Sequence, residues 1–152
     1  MEEKMSLAKL EALVGTELDV SDWLLMTQER INEFAECTED RQWIHVDTEK
    51  AAQGPLGGTV AHGFLVLALL AHWVGRIPVF KTGYKMVVNY GLDRVRFLSP
   101  VRPGNRLRNR AVLTEVKGKG SSRILVKVTN TIEIEGHDKP ALEAETLAVF
   151  FI

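Results

Sequence analysis

A single cysteine, Cys37, is all the thiol chemistry this chain holds. One thiol cannot close an internal disulfide or build a cysteine zinc cluster, which suits a reducing cytoplasm. Charge of one sign is missing too. Lys and Arg number 19 against 20 Asp and Glu, a net charge of -1, so nothing marks nucleic acid as a partner. No apolar run reaches the roughly 20 residues that a membrane-spanning helix needs. The opening Met-Glu-Glu-Lys-Met-Ser lacks the basic start and apolar stretch of a secretion signal. The expectation is a cytoplasmic protein with no membrane association. Repeats, low-complexity tracts and long linkers are also lacking, so 152 residues, 45% of them hydrophobic, predict one domain over 1–152 with a sizeable core.

Several catalytic signatures are absent as well. Gly54, Gly57 and Gly58 form neither a Walker loop nor a G-x-G-x-x-G turn between strand and helix. There is no G-x-S-x-G elbow for a serine hydrolase. H-E-x-x-H is missing, and His62 and His72 would lie roughly 80° apart around a helix and about 15 Å along it, a poor pair for one metal. No metal and no cofactor are expected.

What the chain does have is an apolar run, Phe64 to Ala71, entered through His62–Gly63 and followed by His72-Trp73-Val74-Gly75. A helix without a polar face must be wrapped by the rest of the protein. Ahead of it, Ser6 can cap a short amphipathic helix that ends at Gly15, residues 16–26 suggest a short strand and a turn, and Thr27 can cap a second helix running to Cys37–Thr38. Asp47 reads as the cap of one or two turns through Ala52. Behind it, four strands are predicted at Lys85–Leu98, Arg106–Val116, Arg123–Ile134 and Leu142–Ile152. In the third, Ile124, Val126, Val128, Ile132 and Ile134 share a face. Short turns between consecutive strands favour antiparallel pairing. The fold class is α+β, an antiparallel sheet with one face wrapped on the apolar helix.

For chemistry, one pair stands out. Asp40 and His45 lie five residues apart in a polar segment, and a carboxylate beside an imidazole is a workable acid/base couple near neutral pH. Spacing alone allows a plainer reading, in which Asp40 ends a helix and His45 donates to a backbone carbonyl.

The pattern Asp40-x-x-x-x-His45-x-x-x-x-x-Ala51, followed by Ala61-His62-Gly63 at the mouth of an apolar helix, resembles the signature of the MaoC-like dehydratase and (R)-specific enoyl-CoA hydratase family. Gln42-Trp43-Ile44-His45-Val46-Asp47, with Val88-Asn89-Tyr90-Gly91 and Val95-Arg96-Phe97, is similar to its nodulation-protein-N-like branch. The similarity spans roughly residues 15–150. It implies a hotdog fold, a long curled antiparallel sheet around one central helix, paired into a homodimer. Pairing would also cover the edge strands that a single curled sheet leaves open.

The implied reaction is reversible addition of water to a trans-2-enoyl thioester carried by coenzyme A or acyl carrier protein. Asp40 and His45 would share the proton traffic. The Gly63 backbone N–H, which lacks an intrahelical acceptor, would steady the thioester oxygen; a tight helix entry is an equally compatible reason for that glycine. Gln42, Trp43, Ile44, His62, Asn89, Tyr90 and Gly91 would border the substrate. His62 reads as a packed or hydrogen-bonded histidine, and Trp43 and Ile44 as pocket walls. Arg94, Arg96, Arg102, Arg106, Arg108 and Arg110 read as a solvated strand face, with attraction of coenzyme A phosphates as a lesser alternative.

The chain departs from the family pattern at Glu39, where glycine is usual before the aspartate, and at Gln42-Trp43, where Asn-Pro is usual. The conformation of this loop therefore stays open. Two other functions share the fold: an acyl-CoA thioesterase, and a noncatalytic subunit that binds acyl thioesters. The spacing of Asp40, His45 and Ala51 favours hydration.

Overall fold

The computed structural model describes residues 5–152, so the first four residues of the opening read above for a secretion signal lie outside it. Local chemistry sets the helix starts. Ser6 accepts the Lys9 N–H at 3.3 Å to open α1 (Leu7–Glu11), and Thr27 accepts the Arg30 N–H at 3.1 Å to open α2 (Gln28–Thr38). Ile31 and Ala35, four residues apart on α2, are fully buried. Between these helices lie the short strands β1 (Glu17–Val20) and β2 (Leu24–Leu25). Two short helices, α3 (Trp43–Val46) and α4 (Thr48–Ala52), follow, and the Asp47 carboxylate caps the second by accepting the Lys50 N–H at 2.9 Å.

Four long strands build the sheet: β3 (Met86–Phe97), β4 (Arg106–Gly118), β5 (Arg123–Ile134) and β6 (Leu142–Phe151). Every pairing is antiparallel, in the order β1-β4-β5-β6-β3, with β2 also on β4. On β5 the alternate residues from Ile124 to Ile134 are buried and face inward. They meet the apolar helix, which forms as α5 (Gly63–Ala68) and α6 (Leu70–Val74). Leu65, Val66, Leu69, Leu70 and Trp73 pack there with Leu107, Ile132 and Leu142. A second apolar cluster joins Leu10 and Phe80 to Leu113, Ile124, Val126 and Phe150.

The helix differs from expectation in two ways. It is not wrapped on every side, since Phe64 is 70% exposed and Ala68, Ala71 and His72 share that outer stripe. A single sheet covers one side of a cylinder and leaves the other to something else. The helix also tightens at Leu69, where φ -63 and ψ -17 approach a 3-10 step and the His72 N–H reaches the Leu69 carbonyl at 3.0 Å.

Two features of the sheet bear on function. On its outer face Arg106, Arg108 and Arg110 pair with Glu135, Glu133 and Glu17, with nitrogen–oxygen distances of 3.0, 2.6 and 2.6 Å. These three arginines are thus engaged as a solvated, cross-paired strand face. At the far edge, β3 is bonded only to β6 among the described residues. Its other edge is bare over 12 residues and exposes Val87, Val88, Tyr90, Leu92 and Phe97.

Candidate active site

The turn that carries Asp40 begins with backbone strain. Glu39, the residue after α2, sits in the left-handed region at φ 61, ψ 13. Glycine enters that region freely, and any L side chain enters it at a cost of roughly 1–2 kcal/mol. Glycine before the aspartate thus has a conformational reason, and this chain holds a glycine-type geometry with a glutamate. Glu39→Gly relieves the strain but orders a more flexible residue. The net gain should be about 0.5–1 kcal/mol, a rise of about 1–4 °C in melting temperature. Differential scanning calorimetry would measure it, and a destabilised variant would show that the Glu39 side chain holds the turn.

Arg41 and Glu36 clamp the same turn from outside. The guanidinium meets both carboxylate oxygens, at 2.8 and 2.9 Å. That hydrogen bond holds the Glu36 carboxyl below its ordinary range. The clamp is therefore complete at neutral pH and is lost only as the pH falls through that lowered value.

His45 is positioned by the segment that precedes the apolar helix. Its Nδ1 lies 2.6 Å from the Val60 carbonyl, while the Val60 N–H donates to the Ile44 carbonyl at 3.0 Å. A carbonyl can only accept, so Nδ1 carries the proton and Nε2 is the nitrogen left to exchange protons. Gln28 secures the other side of this junction. Its Nε2 donates to the His45 carbonyl at 2.7 Å, and its Oε1 accepts from the Thr59 hydroxyl at 2.6 Å. Sequence reasoning missed Gln28 and Thr59, because nothing in the first turn of α2 reveals a contact 31 residues away.

His62 completes the cluster. Only 2% exposed, it stacks on His45 with ring centroids 3.8 Å apart and planes 23° from parallel, and Phe34 packs against it at 4.9 Å. Its Nε2 donates to the Asp40 backbone carbonyl at 2.9 Å and lies 4.0 Å from Asp40 Oδ2, while its buried Nδ1 has no partner among the described residues. The histidine read as merely packed or hydrogen-bonded is thus also the piece that joins the Asp40 turn to His45. Donor atoms of Asp40, His45 and His62 fall within 4.8 Å of one another. That spacing invites a metal ion, but the rings do not suit one. Nitrogen lone pairs lie in the ring plane, so two nearly parallel, stacked imidazoles cannot aim at a common ion.

Gly63 follows His62 directly and is the first residue of α5, so its N–H has no acceptor in its own helix. A Cβ here would stand 3.0 Å from the Phe97 ring, so glycine lets that side chain pack closely over the helix entry and a larger residue would push it aside.

The remaining candidates divide. Trp43 lies over Gly54, whose Cβ would meet its ring at 3.0 Å, and receives Lys50 Nζ at 4.9 Å; Gln42 is exposed beside the Asp40 turn, and Ile44 is half-buried on α3. Asn89, Tyr90 and Gly91 lie on β3, where a register shift between Asn89 and Gly91 leaves Tyr90 without a partner residue on β6. These three line a cavity of about 510 Å³ between β3, β6 and the helix from Leu67 to Gly75. Asp40 and His45 do not line it. It begins about 6 Å along the helix axis from Gly63 and reaches about 18 Å. Gly63 and the cavity lining from Leu67 to Gly75 thus occupy successive stretches of one helix, with Asp40 and His45 brought to its N-terminal end by His62.

Comparison with known proteins identifies the family. Residues 9–135 match the family described as MaoC like domain. The chain is 46% identical over 142 residues to 3-hydroxyacyl-thioester dehydratase Z of Mycobacterium tuberculosis, covering 93% of each. It is 45% identical over 149 residues to Nodulation protein N of Rhizobium meliloti, covering 96% of this chain and 91% of that one. In fold it is similar to an (R)-hydratase from A. caviae involved in PHA biosynthesis, with a TM-score of 0.73 at 20% identity over 89% of this chain and 94% of the other.

Proposed function

The chain belongs to the MaoC-like dehydratase family and is a hydro-lyase of the hydratase and dehydratase type, and on that premise we propose that it reversibly adds water to a trans-2-enoyl thioester to give the (R)-3-hydroxyacyl product. One observation carries the proposal: two sequence-distant segments bring Asp40, His45 and His62 together beside the start of α5.

In this reading Asp40 and His45 hold one water between them. As hydroxyl adds to Cβ of the enoyl group, the pair accepts the proton it releases and returns one to Cα, so the site ends as it began. The roles belong to the pair rather than to either residue. Negative charge gathers on the thioester oxygen during addition, and the Gly63 N–H, which has no acceptor in its own helix, is the donor assigned to it. His62 keeps the Asp40 carbonyl and the His45 ring in register. The reaction asks for no bound cofactor beyond the coenzyme A or acyl carrier protein that carries the acyl group.

The bare edge of β3 supports a homodimer. Two copies joined edge to edge about a two-fold axis would each satisfy the other's unpaired backbone groups and cover exposed apolar side chains.

Purified protein mixed with crotonyl-CoA tests the reaction when loss of enoyl absorbance and release of free thiol are followed together. Hydration without thiol is expected. Thiol release would make the protein a thioesterase, and neither signal would leave it an acyl-thioester-binding subunit.

A further inference from the structure

A row of polar side chains crosses the inner face of the sheet where alternation calls for apolar ones. Asn109 on β4 and Asn130 on β5 are 2% and 0% exposed, and Thr146 on β6 continues the row. Leu107, Ile132 and Leu142 pack in one apolar cluster and Leu113, Val126 and Phe150 in the other, so the row runs between the two. Its hydrogen bonds point one way. Asn109 Nδ2 donates to Asn130 Oδ1 at 2.9 Å, and Asn130 Nδ2 donates to Thr146 Oγ1 at 3.0 Å as well as to the carbonyls of Val128 and Ala144. The Thr146 oxygen is thereby committed as an acceptor. Among the described residues its own proton meets only the Val128 carbonyl at 3.4 Å, beyond the 2.5–3.0 Å usual for a hydroxyl donor. A polarised chain of donors ends in a hydroxyl whose proton is poorly held.

Thr146 lines the 510 Å³ cavity, and so does Asn89 of β3, whose exposed amide has no partner among the described residues. We propose that this cavity receives the acyl chain and that Thr146 and Asn89 select chains carrying an oxygen several carbons from the thioester, as a ketone, hydroxyl or ether, over plain hydrocarbon of equal length. The proposal rests on the hydration reading for its ligand class. A cavity meant only for hydrocarbon gains nothing from an unspent hydroxyl proton. A polar group poised to bond an oxygen discriminates against chains that leave it unpaired.

Saturated, unreactive probes separate this from catalysis. Decanoyl-CoA would be compared by calorimetric binding with a series in which one methylene at a time, beyond the fourth carbon, is replaced by an ether oxygen. At one or two positions, the preference for the ether probe over decanoyl-CoA should be roughly three- to tenfold greater in wild type than in Thr146→Val. Valine keeps the shape and branching of threonine, and the Asn130 amide keeps two carbonyl acceptors, so the strand has no new unpaired group. Thr146→Ser, which retains the hydroxyl, should retain the preference. Equal preference in wild type and Thr146→Val at every position overturns the proposal. Crotonyl-CoA hydration by wild type is scored separately. Its absence with an intact ether preference defeats the enzyme reading and leaves the oxygen subsite standing, and the reverse defeats the subsite alone.

Discussion

Asp40→Asn and His45→Gln are each expected to slow crotonyl-CoA hydration by about 10²–10⁴-fold, the range that a positioned proton-transfer group contributes. The loss should fall on kcat more than on KM, because proton transfer matters in the transition state and not in binding. Folding should survive both changes. The Asp40 side chain is about half exposed and makes no short hydrogen bond of its own, so an amide of the same shape fits. His45 is buried, but glutamine still offers an N–H to the Val60 carbonyl that now receives Nδ1. If the two residues act as one unit, the double variant should be scarcely slower than either single one. Steady-state kinetics with circular dichroism as the folding control decides the matter. More than a tenth of wild-type activity in either variant sinks the acid/base assignment.

Lysines on the bare edge should take apart the homodimer proposed above. Met86 and Val88 are two residues apart on one face of β3, and both are exposed in the single chain, at 49% and 42%. In the double variant Met86→Lys/Val88→Lys, edge-to-edge pairing brings four added positive charges into one interface. Like charges held together there cost several kcal/mol. On that proposal wild type sediments as a dimer, affinity between copies of the variant should fall about a hundredfold or more, and sedimentation equilibrium should show the variant as a monomer at the same concentration. The ladder from β3 to β6 is untouched, so each chain should stay folded. A variant that remains dimeric would show that copies meet through some other surface.

The parts of this architecture that were legible beforehand are those governed by local or periodic chemistry. Ser6, Thr27 and Asp47 cap helices as expected because a cap needs only its own next three residues. The alternation through β5 gave its inner face directly, and its one interruption, Asn130, turned out to be the centre of the polar row. Less legible were features made by closure of distant segments. The stacking of His62 on His45 depends on the Val60–Ile44 backbone bond, which no spacing rule contains. The tightening at Leu69 is invisible in a run of leucines and alanines, since composition there favours helix of either pitch. The outer stripe from Phe64 to His72 was hidden because hydropathy reports that a side chain is apolar, not whether one chain alone can cover it.

The strand order also has a consequence for how the molecule is made. β3 is the first long strand to leave the ribosome, yet its hydrogen-bonded neighbour is β6, some fifty residues later. β4, β5 and β6 can zip in sequence as each emerges, but β3 must wait, with Val87, Val88 and Tyr90 unpaired on both edges. Non-local pairing of this kind is slow and leaves strand edges exposed meanwhile. The segment most hazardous during synthesis is therefore the one that a second copy would shelter at the end.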